Sequence, residues 1–154
     1  MNPRSFGELI DFFGAQRDIR EKTIRVLHNL SFVEDPTRVF RAIRFEQRYG
    51  FVMAKHTQSL IKNAVKLNLL QRISGERLLN ELKAILEEEN FLRAIGRIKE
   101  FALIKYIHPD IHLDAEEMSL LERARDVLSW YQLLYMEEKI EAWLVLFLAI
   151  IDQL

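Results

Sequence analysis

Apolar residues recur every three to four positions over most of the chain beyond residue 50, and this spacing is typical of amphipathic helices. Five helical segments follow from the pattern and its end signals, over residues 55–66, 74–88, 90–101, 114–136 and 137–154. Ser74 and Asn90 are predicted N-caps, and Asp114 with Glu117 is a predicted capping box. The pattern therefore predicts a mainly α fold, a helical bundle.

The N-terminal 30 residues show a different pattern. Residues 6–11 and 23–28 are short β-type runs, the second of which alternates, and a connection containing Gly14 joins them. Because two strands alone are marginally stable in water, the sequence predicts a β-hairpin at the edge of a larger sheet. The exposed edge of this hairpin offers a route to a homo-oligomer.

A further helix is predicted within residues 31–51, between these two regions. Asp35 followed by Pro36 predicts its start, because the carboxylate can accept from unpaired backbone N–H groups and proline is tolerated in the first turn. Gly50 predicts its end, since glycine readily adopts the left-handed conformation that closes helices.

Four arginines form a cationic stripe on this helix, at spacings of three, three and four residues: Arg38, Arg41, Arg44 and Arg48. One interpretation is a solvated face whose arginines pair with acids from neighbouring helices. The other is a surface for an anionic partner, because like charges at this spacing repel one another. The adjacent acids Glu34 and Asp35 favour the second, since a carboxylate one turn from a guanidinium offers an acceptor beside a donor, as reading a nucleobase requires.

The net charge of −1 hides a strong asymmetry along the chain. Residues 1–77 contain 14 Lys and Arg against 8 Asp and Glu, whereas residues 78–154 contain 8 against 15. The first half is therefore the half expected to meet polyanions. The absence of cysteine excludes disulfides and thiolate metal sites. The longest apolar run, residues 142–151, is about half of a membrane span, so the sequence predicts a cytoplasmic protein without a membrane partner.

Other candidate chemistry has a structural interpretation. His108, Asp110, His112 and Asp114 lie close together, but Pro109 interrupts regular helical spacing, which favours a turn over a metal site. Four aromatic residues could stack on bases, but their helical spacing in the acidic half favours the core: Trp130, Tyr131, Tyr135 and Trp143. The sequence contains neither an Asp-x-Asp pair nor a glycine-rich phosphate loop.

Three strings carry a family resemblance. FVEDPTRVFRAIRF, residues 32–45, resembles the motif that opens the neck domain of bacterial tRNA nucleotidyltransferases and poly(A) polymerases of the class II CCA-adding type. FGELIDFFGAQRDIREKTIRVLH is similar to the end of the family's catalytic head, with Phe12 in place of a proline and Ala15 in place of a glycine. RISGERLLNELKAIL, residues 72–86, resembles the next neck motif.

The resemblance implies a domain organisation and a role for individual residues. Residues 1–30 would be the end of the head, 31–89 the neck, and 90–154 the first part of the body. The implied nucleotide-binding residues are Glu34, Asp35, Arg38, Arg41 and Arg44. Among them, Asp35 and Arg38 match the positions that hydrogen-bond the incoming base. The implied supporting residues are Ser74, Glu76, Arg77 and Glu81, with Glu76 or Glu81 pairing with arginines of the helix.

The implied function is template-independent addition of AMP, CMP or both to RNA 3′ ends, with tRNA as the expected RNA. Mg²⁺ and ATP or CTP are expected for the complete enzyme, whose metal-binding carboxylates lie upstream in the family. The 154 residues are therefore expected to be an inactive part of a longer enzyme. The alternatives are a stand-alone helical RNA-binding module and a protein-interaction scaffold.

Overall fold

The computed structural model describes Gly7, residues 10–134 and residues 140–154. Its helices are α1 (Ala15–Arg20), α2 (Ser31–Glu34), α3 (Arg38–Tyr49), α4 (Lys55–Lys66), α5 (Gly75–Leu86), α6 (Phe91–Glu100), α7 (Ala115–Leu133) and α8 (Ala142–Ile151). Two short strands, β1 (Thr23–Ile24) and β2 (Val52–Met53), and two 3-10 turns, Leu69–Arg72 and Ile104–Tyr106, complete the described elements. The prediction of a mainly α fold is confirmed.

The predicted helix of segment 31–51 begins two residues later than its sequence signal. Asp35 has extended backbone, and its carboxylate accepts from the Thr37 backbone N–H at 3.2 Å and from the Thr37 hydroxyl at 2.6 Å. These bonds close a tight turn before the first residue of α3, Arg38. The predicted end is confirmed, because Gly50 follows the helix with a left-handed φ of 61°.

The predicted hairpin of residues 6–11 and 23–28 is not what the described residues form. Strand β1 pairs with β2 in parallel register, with Thr23 opposite Val52. The connection that was predicted to turn the hairpin instead contains α1, whose first backbone N–H groups donate to the carboxylate of Asp11 at 2.8 and 2.9 Å. Residues 6, 8 and 9 lie outside the described residues.

The remaining helices follow the sequence prediction closely. Helix α4 has the predicted bounds, and α5 begins after Ser74, whose side chain accepts from the Arg77 backbone N–H. The capping box of Asp114 and Glu117 is present at the start of α7. Helix α6 follows Asn90, whose side chain makes no cap hydrogen bond and donates instead to the Gln47 carbonyl. The first residues of the predicted 137–154 helix lie outside the described residues.

Helix α3 lies at the centre of the packing and contacts both α5 and α6. Its buried face consists of Val39, Phe40, Ala42, Ile43 and Glu46. These side chains belong to a hydrophobic core that extends from Phe32 to Ile150. Since one face of α3 is buried in this way, its arginines are confined to the opposite side.

Glu46 is the one acid on the buried face of α3. Its carboxylate accepts from the Met53 backbone N–H at 2.9 Å and from Arg97 Nε of α6 at 2.8 Å. The Arg97 side chain also pairs with Glu100 within α6. A buried carboxylate is tolerated here because it is paired and hydrogen-bonded. Glu46 therefore links α3 to β2 and to α6.

None of the helices in the described residues is long and apolar enough to cross a membrane.

Candidate nucleotide-recognition site

The cationic stripe of α3 is matched by acids from within the chain. Arg38 lies 3.5 Å from Glu34 Oε2, and Arg41 Nε lies 2.5 Å from Glu81 Oε1 on α5. Arg44 and Arg48 share Glu88, at 3.8 and 3.3 Å. The first interpretation of the stripe, a face paired with acids of neighbouring helices, therefore describes the contacts of all four arginines.

Asp35 is held in place by two neighbours on the side of its Oδ1 atom. This oxygen accepts from the Thr37 hydroxyl and backbone N–H and, at 2.8 Å, from Arg77 Nη2 of α5. Partial burial favours the protonated acid, but the Thr37 hydrogen bonds and the charge of Arg77 outweigh it, and the pKa of Asp35 is lowered from its ordinary value. Asp35 is therefore ionised at neutral pH, with one oxygen fully engaged.

The second oxygen of Asp35 faces Arg38. Arg38 Nε lies 4.0 Å from Asp35 Oδ2, and Arg38 Nη1 donates to the Ser31 carbonyl at 3.3 Å and to Glu34 at 3.5 Å. Glu34 also lies 3.4 Å from His28 Nε2. The hydrogen bonds that the Asp35 carboxylate accepts from the described residues go to Oδ1, and those that the Arg38 side chain donates come from Nη1, which leaves Asp35 Oδ2 and Arg38 Nη2 without one in the described part of the chain. They therefore form an acceptor and a donor side by side, available to a ligand.

Glu81 supports the stripe from α5. Its side chain is buried against the core next to Leu82 and Ile85, and its Oε1 accepts from Arg41. The hydrogen bond and charge of Glu81 raise the pKa of Arg41, which is a cation in any case. Glu81 Oε2 is buried without a hydrogen bond from the described part of the chain. One carboxylate thus fixes the position of Arg41.

An open cleft of about 330 Å³ lies between α3 and the segment that follows β1. Arg38 and Arg41 line it from α3, and Arg25 and His28 line it from the other segment. The rest of its lining consists of Ser31 and apolar side chains such as Phe32, and the lining contains no acidic residue. This cationic cleft, with three arginines beside a largely apolar lining, suits a ligand that carries both an anionic group and an apolar surface.

Proteins of known activity are similar to this chain. Residues 50–114 match the family model described as the "probable RNA and SrmB-binding site of polymerase A". The A-adding tRNA nucleotidyltransferase of Geobacter sulfurreducens is 55% identical over 154 residues, which are 100% of this chain and 18% of the relative. The A-adding tRNA nucleotidyltransferase of Aquifex aeolicus is 38% identical over 151 residues, 97% of this chain and 18% of the relative. The chain belongs to the tRNA nucleotidyltransferase and poly(A) polymerase family.

Solved structures of this family have the same fold. A tRNA nucleotidyltransferase complexed with a primer tRNA and an incoming ATP analog superposes with a TM-score of 0.88 at 37% identity, over 99% of this chain and 45% of that one. A CCA-adding enzyme with ATP superposes with a TM-score of 0.88 at 41% identity, over 97% of this chain and 35% of that one. The chain therefore spans less than half the length of either enzyme.

The structure brings most of the nucleotide-binding and supporting residues that the sequence predicts into one area. Arg38 lies beside Glu34 and Asp35, and Arg77 and Glu81 reach the start and the middle of α3 from α5. Ser74 caps α5. Glu76 is exposed and makes no ion pair with the described residues, so the predicted acid partner of the arginines is Glu81 and not Glu76.

Several contacts of this site were not predicted. Thr37 shares Asp35 with Arg77, Glu88 pairs with Arg44 and Arg48, and Glu46 anchors the opposite face of α3. Glu88 could have been found from its position, since it lies seven residues beyond Glu81 and therefore on the same face of α5 or just past its end. The long-range contact of Glu46 with Arg97 had no local sequence signal.

The structure also tests the two other candidate clusters of the sequence, the histidine and aspartate cluster near Pro109 and the four aromatic residues. No group of three or more His, Asp or Glu side chains among the described residues is arranged to hold a metal ion. Trp143 packs against the core with Lys83 over its ring at 4.7 Å. Trp130 is 60% exposed, so its assignment to the core is wrong: it lies two residues after the buried Leu128 and therefore on the opposite face of α7. Tyr135 lies outside the described residues.

Proposed function

We propose that this chain is the base-selecting and RNA-binding part of a longer enzyme that adds adenosine to the 3′ end of tRNA. The names of two curated relatives, both A-adding tRNA nucleotidyltransferases, favour adenosine over cytidine as the nucleotide. The observation that carries the role of this chain is the position of Arg38, which lines the cationic cleft and lies 4.0 Å from Asp35 Oδ2. For its organisation we propose that residues 1–30 are the end of the catalytic head, residues 31–89 the neck and residues 90–154 the first part of the body.

Base selection follows from the donor and acceptor that Asp35 and Arg38 present. Adenine and cytosine carry an exocyclic amino group next to a ring acceptor, which matches a carboxylate beside a guanidinium. Guanine and uracil present a carbonyl oxygen in place of that amino group, and this oxygen would face the ionised Asp35. Because Thr37 and Arg77 keep Asp35 charged and oriented, the repulsion is present at neutral pH.

Phosphoryl transfer is assigned to no residue of this chain. The described residues do not fit a Mg²⁺ site, since they contain no cluster of three or more His, Asp or Glu side chains arranged for a metal. The contribution of the chain is to bind and orient the base while other parts of the enzyme perform the chemistry. Arg41, fixed by Glu81 at the cleft, is positioned to contact the base or the triphosphate.

The test is nucleotide choice in the complete enzyme after Arg38→Ala. The ratio of kcat/KM for ATP to that for GTP or UTP is expected to fall about 10- to 100-fold, since one good pairing of side chain and base edge provides about 1–3 kcal/mol of discrimination. Arg48→Ala is the matched control, because Arg48 lies on the same stripe but pairs with Glu88 away from the cleft. An Arg38→Ala enzyme with normal selectivity would refute the base-reading role.

A second function, RNA binding without catalysis, is favoured by the match of residues 50–114 to an RNA-binding family model. It predicts that the 154-residue chain alone binds tRNA and that its affinity falls steeply as salt rises. Absence of binding at low salt would exclude this function while leaving base selection in the complete enzyme open.

A further inference from the structure

The lysines of α4 differ from the arginines of α3 in having no acidic partners. Lys55, Lys62 and Lys66 are exposed, and none lies within the 4.0 Å ion-pair distance of a carboxylate in the described part of the chain. The sequence explains this contrast, because no Asp or Glu occurs between Glu46 and Glu76. Unmatched positive charge therefore lies on α4, whereas the arginine stripe that the sequence predicts as the anion-binding surface is on α3.

The three lysines lie in line along α4. Their spacings of seven and four residues keep them within an arc of about 40° and spread them over about 16 Å of helix. Ser59 and Asn63 lie between them and are also exposed. The opposite face of the helix is buried through Thr57, Ile61 and Ala64. This lysine face is thus a rigid, linear array of cations on a helix fixed by the core.

A fourth cation extends the lysine face beyond the end of α4. The Tyr106 hydroxyl donates to the Val65 carbonyl at 3.0 Å and lies 3.1 Å from Asn68 Oδ1, which places the turn containing Lys105 beside the last residues of the helix. Lys105 is exposed with its ammonium 5.0 Å from the Tyr106 ring centre. A shallow cavity of about 240 Å³ separates Lys105 from Asn68 and Gln71.

We infer that the lysine face of α4, continued by Lys105, binds consecutive phosphates of the RNA substrate. The inference rests on the proposed function, for which it supplies an RNA-binding surface separate from the base-selecting cleft. Phosphates require charge alone, whereas an acidic protein partner would also require apolar or aromatic anchors at the centre of its interface. The exposed positions among the three lysines on this face are polar, so RNA fits it better than a protein does.

The test compares two triple variants of the complete enzyme that remove the same charge. Lys55→Gln/Lys62→Gln/Lys66→Gln removes the lysine face, and Arg93→Gln/Arg123→Gln/Arg125→Gln is the control in the exposed part of α6 and α7. The affinity for tRNA is measured without nucleotide as a function of salt. The slope of log affinity against log salt is expected to become shallower by about 2 to 3 for the lysine variant, because each phosphate contact contributes about 0.7–0.9 to it. The control should keep the wild-type slope.

Kinetics separate this inference from the proposed function. At saturating tRNA the lysine variant is expected to keep the wild-type kcat and preference for ATP, while its KM for tRNA rises at least about tenfold. Equal salt slopes for the two triple variants would overturn the inference. This result is expected if the lysine face binds an acidic protein instead of RNA. An enzyme that binds tRNA through these lysines but adds no nucleotide would refute the proposed function and leave the inference standing. If the triple variant fails to fold, Lys105→Gln alone is expected to reduce the slope by about 1.

Discussion

Arg41 and Glu81 form an ion pair whose two members differ sharply in exposure. Arg41 Nε and Glu81 Oε1 are 2.5 Å apart, and the Arg41 side chain is 48% exposed whereas that of Glu81 is 9% exposed. The energetic consequences of breaking the pair therefore depend on which member is removed. Water can solvate Arg41 when Glu81 is removed, but it reaches Glu81 poorly when Arg41 is removed.

We expect Arg41→Ala to destabilise the fold more than Glu81→Gln. Removing the guanidinium leaves a buried carboxylate without its partner and should cost about 3 kcal/mol, whereas glutamine keeps the shape and loses one charged hydrogen bond, about 1 kcal/mol. Urea denaturation of the two variants measures the difference. Arg48→Ala, on the exposed part of the same stripe, should change the free energy of unfolding by less than about 0.5 kcal/mol. Equal costs for the two pair variants would show that Glu81 is solvated.

The pKa of Asp35 should depend on Arg77. The folded-state pKa is lowered, so ionised Asp35 contributes stability above its unfolded pKa of about 3.9, and this contribution is lost as the pH falls through the folded value. Arg77→Gln removes the 2.8 Å contact with Asp35 Oδ1 and should raise that pKa. The titration of the Asp35 carboxyl carbon by NMR measures it. Arg72→Gln is the control, as Arg72 is exposed and makes no contact with Asp35; the idea fails if both variants titrate alike.

Two glycines should respond in opposite ways to alanine. Gly50 has a φ of 61° and open space around its Cβ position, so Gly50→Ala should destabilise the fold by about 1 kcal/mol through backbone strain alone. Gly96 lies inside α6 with nothing within 4 Å of an added Cβ, and Gly96→Ala should stabilise by about 0.5–1 kcal/mol. Thermal denaturation should therefore shift in opposite directions. A stabilising Gly50→Ala would mean that α3 ends without a left-handed residue.

The helices were predictable because their signals are local. The bounds of α4 and the capping box of Asp114 and Glu117 depend on residues within one or two turns of each other. The pairing of β1 with β2 was not predictable, since it joins two-residue strands about thirty positions apart. The late start of α3 was missed because the Asp35 carboxylate closes a turn with Thr37 before the helix begins.

The candidate site was predictable in its residues but not in its charge balance. The positions of Glu34, Asp35 and Arg38 follow from one motif, and their proximity follows from their closeness in sequence. The choice between Glu76 and Glu81 could have been made by helical phase, because Glu81 is followed by the buried Leu82 and precedes the buried Ile85 by one turn. The sequence also contains the acid-free stretch between Glu46 and Glu76, which is the local signal for the lysine face.

Glu46 does not line the cleft, but it bears on the nucleotide selectivity that we propose for this chain. On a helical wheel it lies about 140° from the middle of the arginine stripe, and its bonds to the Met53 backbone and to Arg97 oppose rotation of α3 about its long axis. In the role we propose for Arg38, the angle at which its side chain would meet the incoming base is therefore determined on the far side of the helix. Altered enzymes with relaxed nucleotide choice are therefore expected to include changes at Glu46 and Arg97, which touch neither base nor phosphate.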